Sequence, residues 1–145
     1  MNIERFTQKS REALGGAQQL AAERHHQEVT SKHLLYTLLQ QDGITRHLYE
    51  QAGVNMDDFS SRLDKLLDKI PAVYGYEGSV FTSSALARTL AQAEKEAREL
   101  KDEYISVEHL LLGLLKEGEA DLKDLFAHMG LTRDSFLQAD RKSTR

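Results

Sequence analysis

Six histidines and no cysteine bound the chemistry open to this chain. Without Cys there is no thiolate nucleophile, no disulfide and no Cys-ligated zinc, and a reducing compartment is permitted. A helical zinc hydrolase needs H-E-x-x-H to set two imidazoles on one helix face, and none of the histidines has that spacing. His25-His26 lies beside Gln27 with no spaced third ligand, and reads as a polar turn. His33 and His109 stand at matching places at the start of two Leu-rich segments. Each imidazole there satisfies a polar group near a helix N-terminus, and a catalytic residue is rarely needed twice. Gly75-Tyr76-Glu77-Gly78 runs on into Ser79-Val80 and lacks the lysine of a phosphate loop. Ser10, Ser31, Ser83 and Ser84 sit near helix starts as caps, none in a G-x-S-x-G elbow. The run Glu94 to Glu99 alternates in charge and reads as a solvated helix face. No catalytic, cofactor-binding or metal-ligating set emerges. The expectation is a binding module rather than an enzyme, since a stand-alone helical enzyme would need a polar pocket that the sequence does not announce.

The elements that carry these residues come in duplicate. His33-Leu34-Leu35-Tyr36-Thr37-Leu38-Leu39 returns 76 residues later as His109-Leu110-Leu111-Leu112-Gly113-Leu114-Leu115. At the same offset Leu14 meets Leu90, Ala17 meets Ala93, Ala21 meets Ala97, and Val29-Thr30 meets Ile105-Ser106. The offset slips to 77 where Gly53-Val54 meets Gly130-Leu131 and Phe59 meets Phe136, and is read as 75 where Phe6-Thr7 meets Phe81-Thr82. Two repeats, 1–70 and 80–145, are therefore expected, joined by a connector 71–79 that holds the only proline. Tyr74, Tyr76, Val80 and Phe81 are expected to pack across both.

Apolar residues recur at helical spacing in each copy. Thr30, Asn55, Ser83 or Ser84, Ser106 and Thr132 are the expected N-caps, and Gly53 and Gly130 the expected stops. Gly15 and Gly16 interrupt the first helix, where they would allow close helix contact. The pattern predicts an all-α fold, a pseudo-twofold tandem repeat of two four-helix units with eight helices and no sheet. At 145 residues, 40% hydrophobic, this is enough for one compact domain. A net charge of −4 argues against bulk binding to nucleic acid or an anionic membrane. No run approaches the ~20 apolar residues of a membrane span, and the opening residues lack the apolar core of a signal peptide.

Two copies of a helix followed by Thr/Ser-x-x-His-Leu-Leu-x-x-Leu-Leu resemble the Clp repeat, the N-terminal domain of the Clp family of AAA+ unfolding machines. The stretch Lys101-Asp102-Glu103-Tyr104-Ile105-Ser106-Val107-Glu108-His109-Leu110-Leu111-Leu112 carries the likeness most strongly, with Ile3-Glu4-Arg5-Phe6-Thr7 in support. The connector Lys69 to Gly75 is similar to that of the ClpB disaggregase type. The resemblance implies an isolated N-terminal domain of a cytoplasmic, hexameric, ATP-driven machine that works with the DnaK system on unfolded or aggregated polypeptides. It implies no cofactor in this chain. ATP and magnesium would belong to the ATPase modules of a full-length relative, and the domain alone is expected to be a monomer. The alternative is an adaptor-docking domain of the ClpA or ClpC type.

By the same resemblance the client-binding residues are Thr7, Leu90, Asp102, Glu108 and His109, and Tyr104, between the two acids in sequence, is expected to join them. Thr7, Asp102 and Glu108 form a polar rim. Leu90 and Tyr104 form an apolar floor, and His109 adjoins it where some ClpB relatives carry leucine, with a possible response to pH. Removal of Asp102 and Glu108 together is expected to weaken client binding without changing stability. In the ClpC type both repeats carry glutamate before the histidine, and the pair helps bind phosphoarginine tags. Here Lys32 precedes His33, and a lysine repels a guanidinium.

Overall fold

The computed structural model describes residues 3–75 and 78–144. A 3-10 turn, Ile3–Arg5, leads into α1 (Gln8–Glu23), β1 (Glu28–Val29), α2 (Ser31–Gln40), α3 (Ile44–Gln51) and α4 (Met56–Asp68). After the connector come β2 (Phe81–Thr82), α5 (Ser84–Glu99), α6 (Val107–Glu117), α7 (Ala120–His128) and α8 (Arg133–Thr144). The eight helices form two matching quartets, α1–α4 and α5–α8.

The helices start where short polar side chains can satisfy free backbone N–H groups. Thr7, Asn55 and Ser83 each accept from the N–H three residues on. Thr30 and Ser106 form capping boxes with His33 and His109, the imidazole taking the place usually held by Glu or Gln. α1 and α5 stop alike. His25 and Lys101 adopt left-handed φ of 61° and 60°, and the following N–H groups of His26 and Asp102 return to Ala21 and Ala97, each at 2.8 Å.

The expectation of no sheet is corrected by a two-residue parallel ladder, Glu28–Val29 against Phe81–Thr82, and a parallel bridge between Phe6 and Ile105. These are the extended residues just ahead of four helix caps, too short to show a period in sequence. Their pairing is crossed. The lead-in to α1 bonds the lead-in to α6, through Thr7 N–H to Ile105 O at 3.1 Å and Ile105 N–H to Arg5 O at 2.7 Å. The lead-in to α5 bonds the lead-in to α2, through Ser83 N–H to Val29 O at 3.0 Å. The equivalences Phe6 with Thr82 and Thr7 with Ser83 keep the offset at 76. The slip to 75 at the front is therefore corrected. Phe81 is not the counterpart of buried Phe6, and it is exposed.

Tyr49, Phe59, Phe126 and Phe136, two from each quartet, pack their rings with centroids 5.4–6.4 Å apart. All four are buried. Of the residues expected to pack across both halves, Val80 is half-buried and packs against the core. Tyr74 lies 4.4 Å from the His25 ring but stays largely exposed. Tyr76 lies outside the described residues. Among the described residues no helix is long and apolar enough to cross a membrane.

Candidate functional site

Three helix starts converge where the crossed lead-ins hold α1 against α6. Thr7 caps α1, Gly43 precedes α3 and Ser106 caps α6. Between them opens a groove of about 910 Å³, with Thr7, Glu12, Ile44, Val107 and Glu108 in its lining. Thr7 and Glu108, 101 residues apart in sequence, thus face one space. Thr7 Oγ1 accepts from the Ser10 N–H and donates to Ser10 Oγ, which donates in turn to Ile105 O at 3.0 Å. Glu108 accepts from Ser106 Oγ at 3.1 Å. Lys9 pairs with Asp42 at the mouth and holds that carboxyl below the usual carboxylate range. Ile44 and Val107 supply apolar floor, and acidic groups outnumber Lys9 at the rim.

A second cavity of about 450 Å³ shares Ser106 and Glu108 with the first and adds Asp102, Tyr104 and His109. Tyr104 and Leu100 are exposed large apolar side chains here. His109 is only 3% exposed, and both ring nitrogens are engaged. Nδ1 accepts the Ser106 N–H at 2.9 Å, so Nε2 carries the hydrogen and donates to Asp102 Oδ2 at 2.8 Å. The imidazole that lines this cavity is also a brace between the α6 cap and the turn after α5. Asp102 is correspondingly more than a rim charge. Without it a buried N–H has no acceptor, a loss of about 1–3 kcal/mol, so the expectation that both acids are removable at no cost is corrected for Asp102.

The first quartet builds the same brace from other parts. His33 Nδ1 accepts the Thr30 N–H at 2.9 Å, and its Nε2–H donates to His26 Nδ1 at 2.8 Å. His26 stands 76 residues before Asp102. Burial, with His26, Lys32 and Arg24 nearby, lowers the His33 pKa to about 3, and burial lowers that of His26.

Leu90 lies apart from the other five. It is half-buried against the core and lines a cleft of about 310 Å³ between α1 and α5, with Ile3, Phe6, Leu14 and Leu86. Sequence reasoning missed the α3 wall of the large groove, Gly43, Ile44 and His47. Gly43 is the N-cap of α3 in a left-handed conformation with φ 92°. Among the described residues no group of three or more His, Asp or Glu is disposed to hold a metal ion.

The family model for the Clp repeat (R) N-terminal domain matches residues 5–129. The chain is 38% identical over 143 residues to the chaperone protein ClpB of Bacillus anthracis, covering 96% of this chain and 16% of that protein. It thus spans about a sixth of the length of that relative. Its fold is similar to that of the Hsp104 N-terminal domain from Candida albicans, with TM-score 0.83, 24% identity, and coverage of 92% of this chain and 87% of that one. It is also similar to a ClpV N-domain solved in complex with a VipB peptide, with TM-score 0.69, 24% identity, and coverage of 88% and 80%.

Proposed function

This chain belongs to the Clp repeat N-terminal domain family and is ClpB-like, and on that premise we propose that it recruits clients to an ATP-dependent protein disaggregase by binding exposed apolar segments of unfolded or aggregated polypeptides. The ATPase modules with their ATP and magnesium, the hexameric ring, cooperation with the DnaK system and a cytoplasmic setting belong to the same proposal. The observation that carries the reading is the groove shared by Thr7 and Glu108, with an apolar floor and an acidic rim. Such a groove favours extended segments with basic residues beside apolar ones. The exposed rings and chains of Tyr104 and Leu100 extend the surface beyond Glu108. Peptide capture by the ClpV N-domain supports the same use of this fold.

Glu108→Ala is the clean test, because Glu108 is half-buried and bonds only Ser106 among the contacts described. It weakens binding of an unfolded apolar, arginine-rich peptide, weakens a neutral peptide less, and loses its effect as salt screens the rim. The melting temperature stays put. Unchanged affinity at low salt moves the site, and Leu90→Ala then tests the α1–α5 cleft. Pull-down of aggregated protein against pull-down of a small adaptor separates this reading from adaptor docking of the ClpA or ClpC type. Lys32, buried and paired with Asp121 at 2.9 Å, counts against a twin guanidinium site.

A further inference from the structure

The large groove has a counterpart at the starts of α2, α5 and α7, generated by the 76-residue offset. Thr7 corresponds to Ser83, Val107 to Ser31, Glu108 to Lys32, and Gly43 to Glu119. The counterpart is not open. The Glu119 carboxylate fills it, accepting the Ser31 N–H with both oxygens at 3.1 and 3.2 Å and the Ser83 hydroxyl at 3.0 Å. Lys32, where the open groove has Glu108, is buried alongside and reaches across to Asp121. The open groove has Gly43 at the place of Glu119, and a glycine brings no side chain to close it. The same three helix starts are therefore built twice, once vacant and once sealed by a carboxylate from the chain itself.

We propose that Glu119 is an internal occupant that closes the α2–α5–α7 copy of the client groove, so that the domain offers one such groove rather than two. The inference rests on the reading of the Thr7–Glu108 groove as the client site. It explains why a nearly symmetric fold need not bind symmetrically. In the sealed copy Glu119 is held by Ser31 and Ser83 while Lys32 pairs with Asp121, and the open copy leaves Glu108 to meet basic groups from outside.

The test titrates the whole chain with a fluorescein-labelled, unstructured peptide rich in leucine and arginine, read by calorimetry and by amide NMR shifts. Wild type binds one peptide per domain, and shifts concentrate at Thr7, Val107 and Glu108, not at Ser31 and Ser83. Glu119→Gly with Lys32→Glu, Ser31→Val and Ala120→Ile, which gives the sealed copy the glycine, the acid and the apolar floor of the open groove, binds two, and Glu108→Ala added to it weakens one of the two sites. Two peptides on wild type, comparable shifts at Ser31 and Ser83, or one peptide on that variant at unchanged helicity overturns the closure. The single variant Glu119→Gly supplies a readout independent of clients. Its melting temperature falls and is recovered by acetate but not by acetamide, whereas wild type responds alike to both. No such difference also overturns the closure. Absence of peptide binding to wild type, with acetate rescue intact, sinks the client reading and leaves Glu119 as the occupant of its site.

Discussion

At the scale of single residues, one buried imidazole per quartet does the same work with different partners. His109 hands its hydrogen to a carboxylate, and His33 hands its hydrogen to a second imidazole, itself hydrogen-bonded to the backbone of Ile70. In the His33–His26 pair a proton added to either ring turns an acceptor nitrogen into a donor facing a donor. His33 is lowered to about 3 and His26 is lowered as well, by burial first. The unfolded chain, with imidazoles near pKa 6.5, therefore binds protons the folded chain refuses. Stability from this pair is full above pH ~6.5 and is lost as pH falls from there toward 3. Thermal melts should show the loss beginning above the range where carboxylates titrate. The His33 ring should stay neutral by NMR at pH ~5 while stability is already falling. A His33 titration near the ordinary imidazole value sinks the argument.

At the scale of elements, closeness between paired helices is set by one glycine in the second quartet. A Cβ at Gly113 of α6 would stand 2.5 Å from the Thr89 carbonyl oxygen of α5. Its counterpart, Thr37 of α2, instead donates its hydroxyl to the Ala13 carbonyl of α1 at 2.8 Å. Gly113→Ala gains up to ~1 kcal/mol of helix propensity, but forcing the backbones apart costs about 1–3 kcal/mol. The clash wins, and the melting temperature should fall. Gly15→Ala is the control. Nothing lies within 4 Å of its Cβ, so propensity acts alone and stability should rise by ~0.5–1 kcal/mol. The opposite outcome for either glycine means the helices sit differently. These contacts mark what sequence can and cannot carry. Helix bounds and caps such as Thr30, Asn55 and Ser106 were legible because capping is local chemistry. The expectation that Gly15 and Gly16 mark a close contact held only in part. Gly16 meets Thr37 at 3.2 Å, Gly15 meets nothing, and the tightest approach is at Gly113. Which glycine faces a neighbour depends on how helices cross, and spacing along one helix does not encode that.

At the scale of the whole molecule, the two quartets hold each other through two separate sets of contacts. Each lead-in to a first helix hydrogen-bonds the other quartet's lead-in to a second helix, and the aromatic cluster takes two rings from each side. The duplication itself was legible in the His-Leu-Leu segments and in Phe59 with Phe136. The crossing was not, since residues 6 and 105 have no local reason to meet. It was the crossing that brought Thr7 to Glu108, and it left Leu90 on a different face from the residues grouped with it in sequence. One consequence is open to direct measurement. A half of about 70 residues buries too little surface to be more than marginally stable. Here it also loses its ladder partner, exposing Val29 or Ile105, and half of its aromatic cluster. Residues 1–70 and 80–145, made separately, should be loosely folded, with weak helicity and no cooperative melt. Mixed in equal amounts they should recover helicity and one transition, because the missing partners are then supplied in trans. The described residues of the connector add no buried apolar side chain, since Val73 and Tyr74 are exposed. Tethering raises effective concentration rather than adding core, so the mixed halves should melt at a temperature that rises with concentration while the intact chain does not. If either half alone melts cooperatively at the temperature of the whole, the quartets are independent units and the crossed lead-ins are only a contact between them.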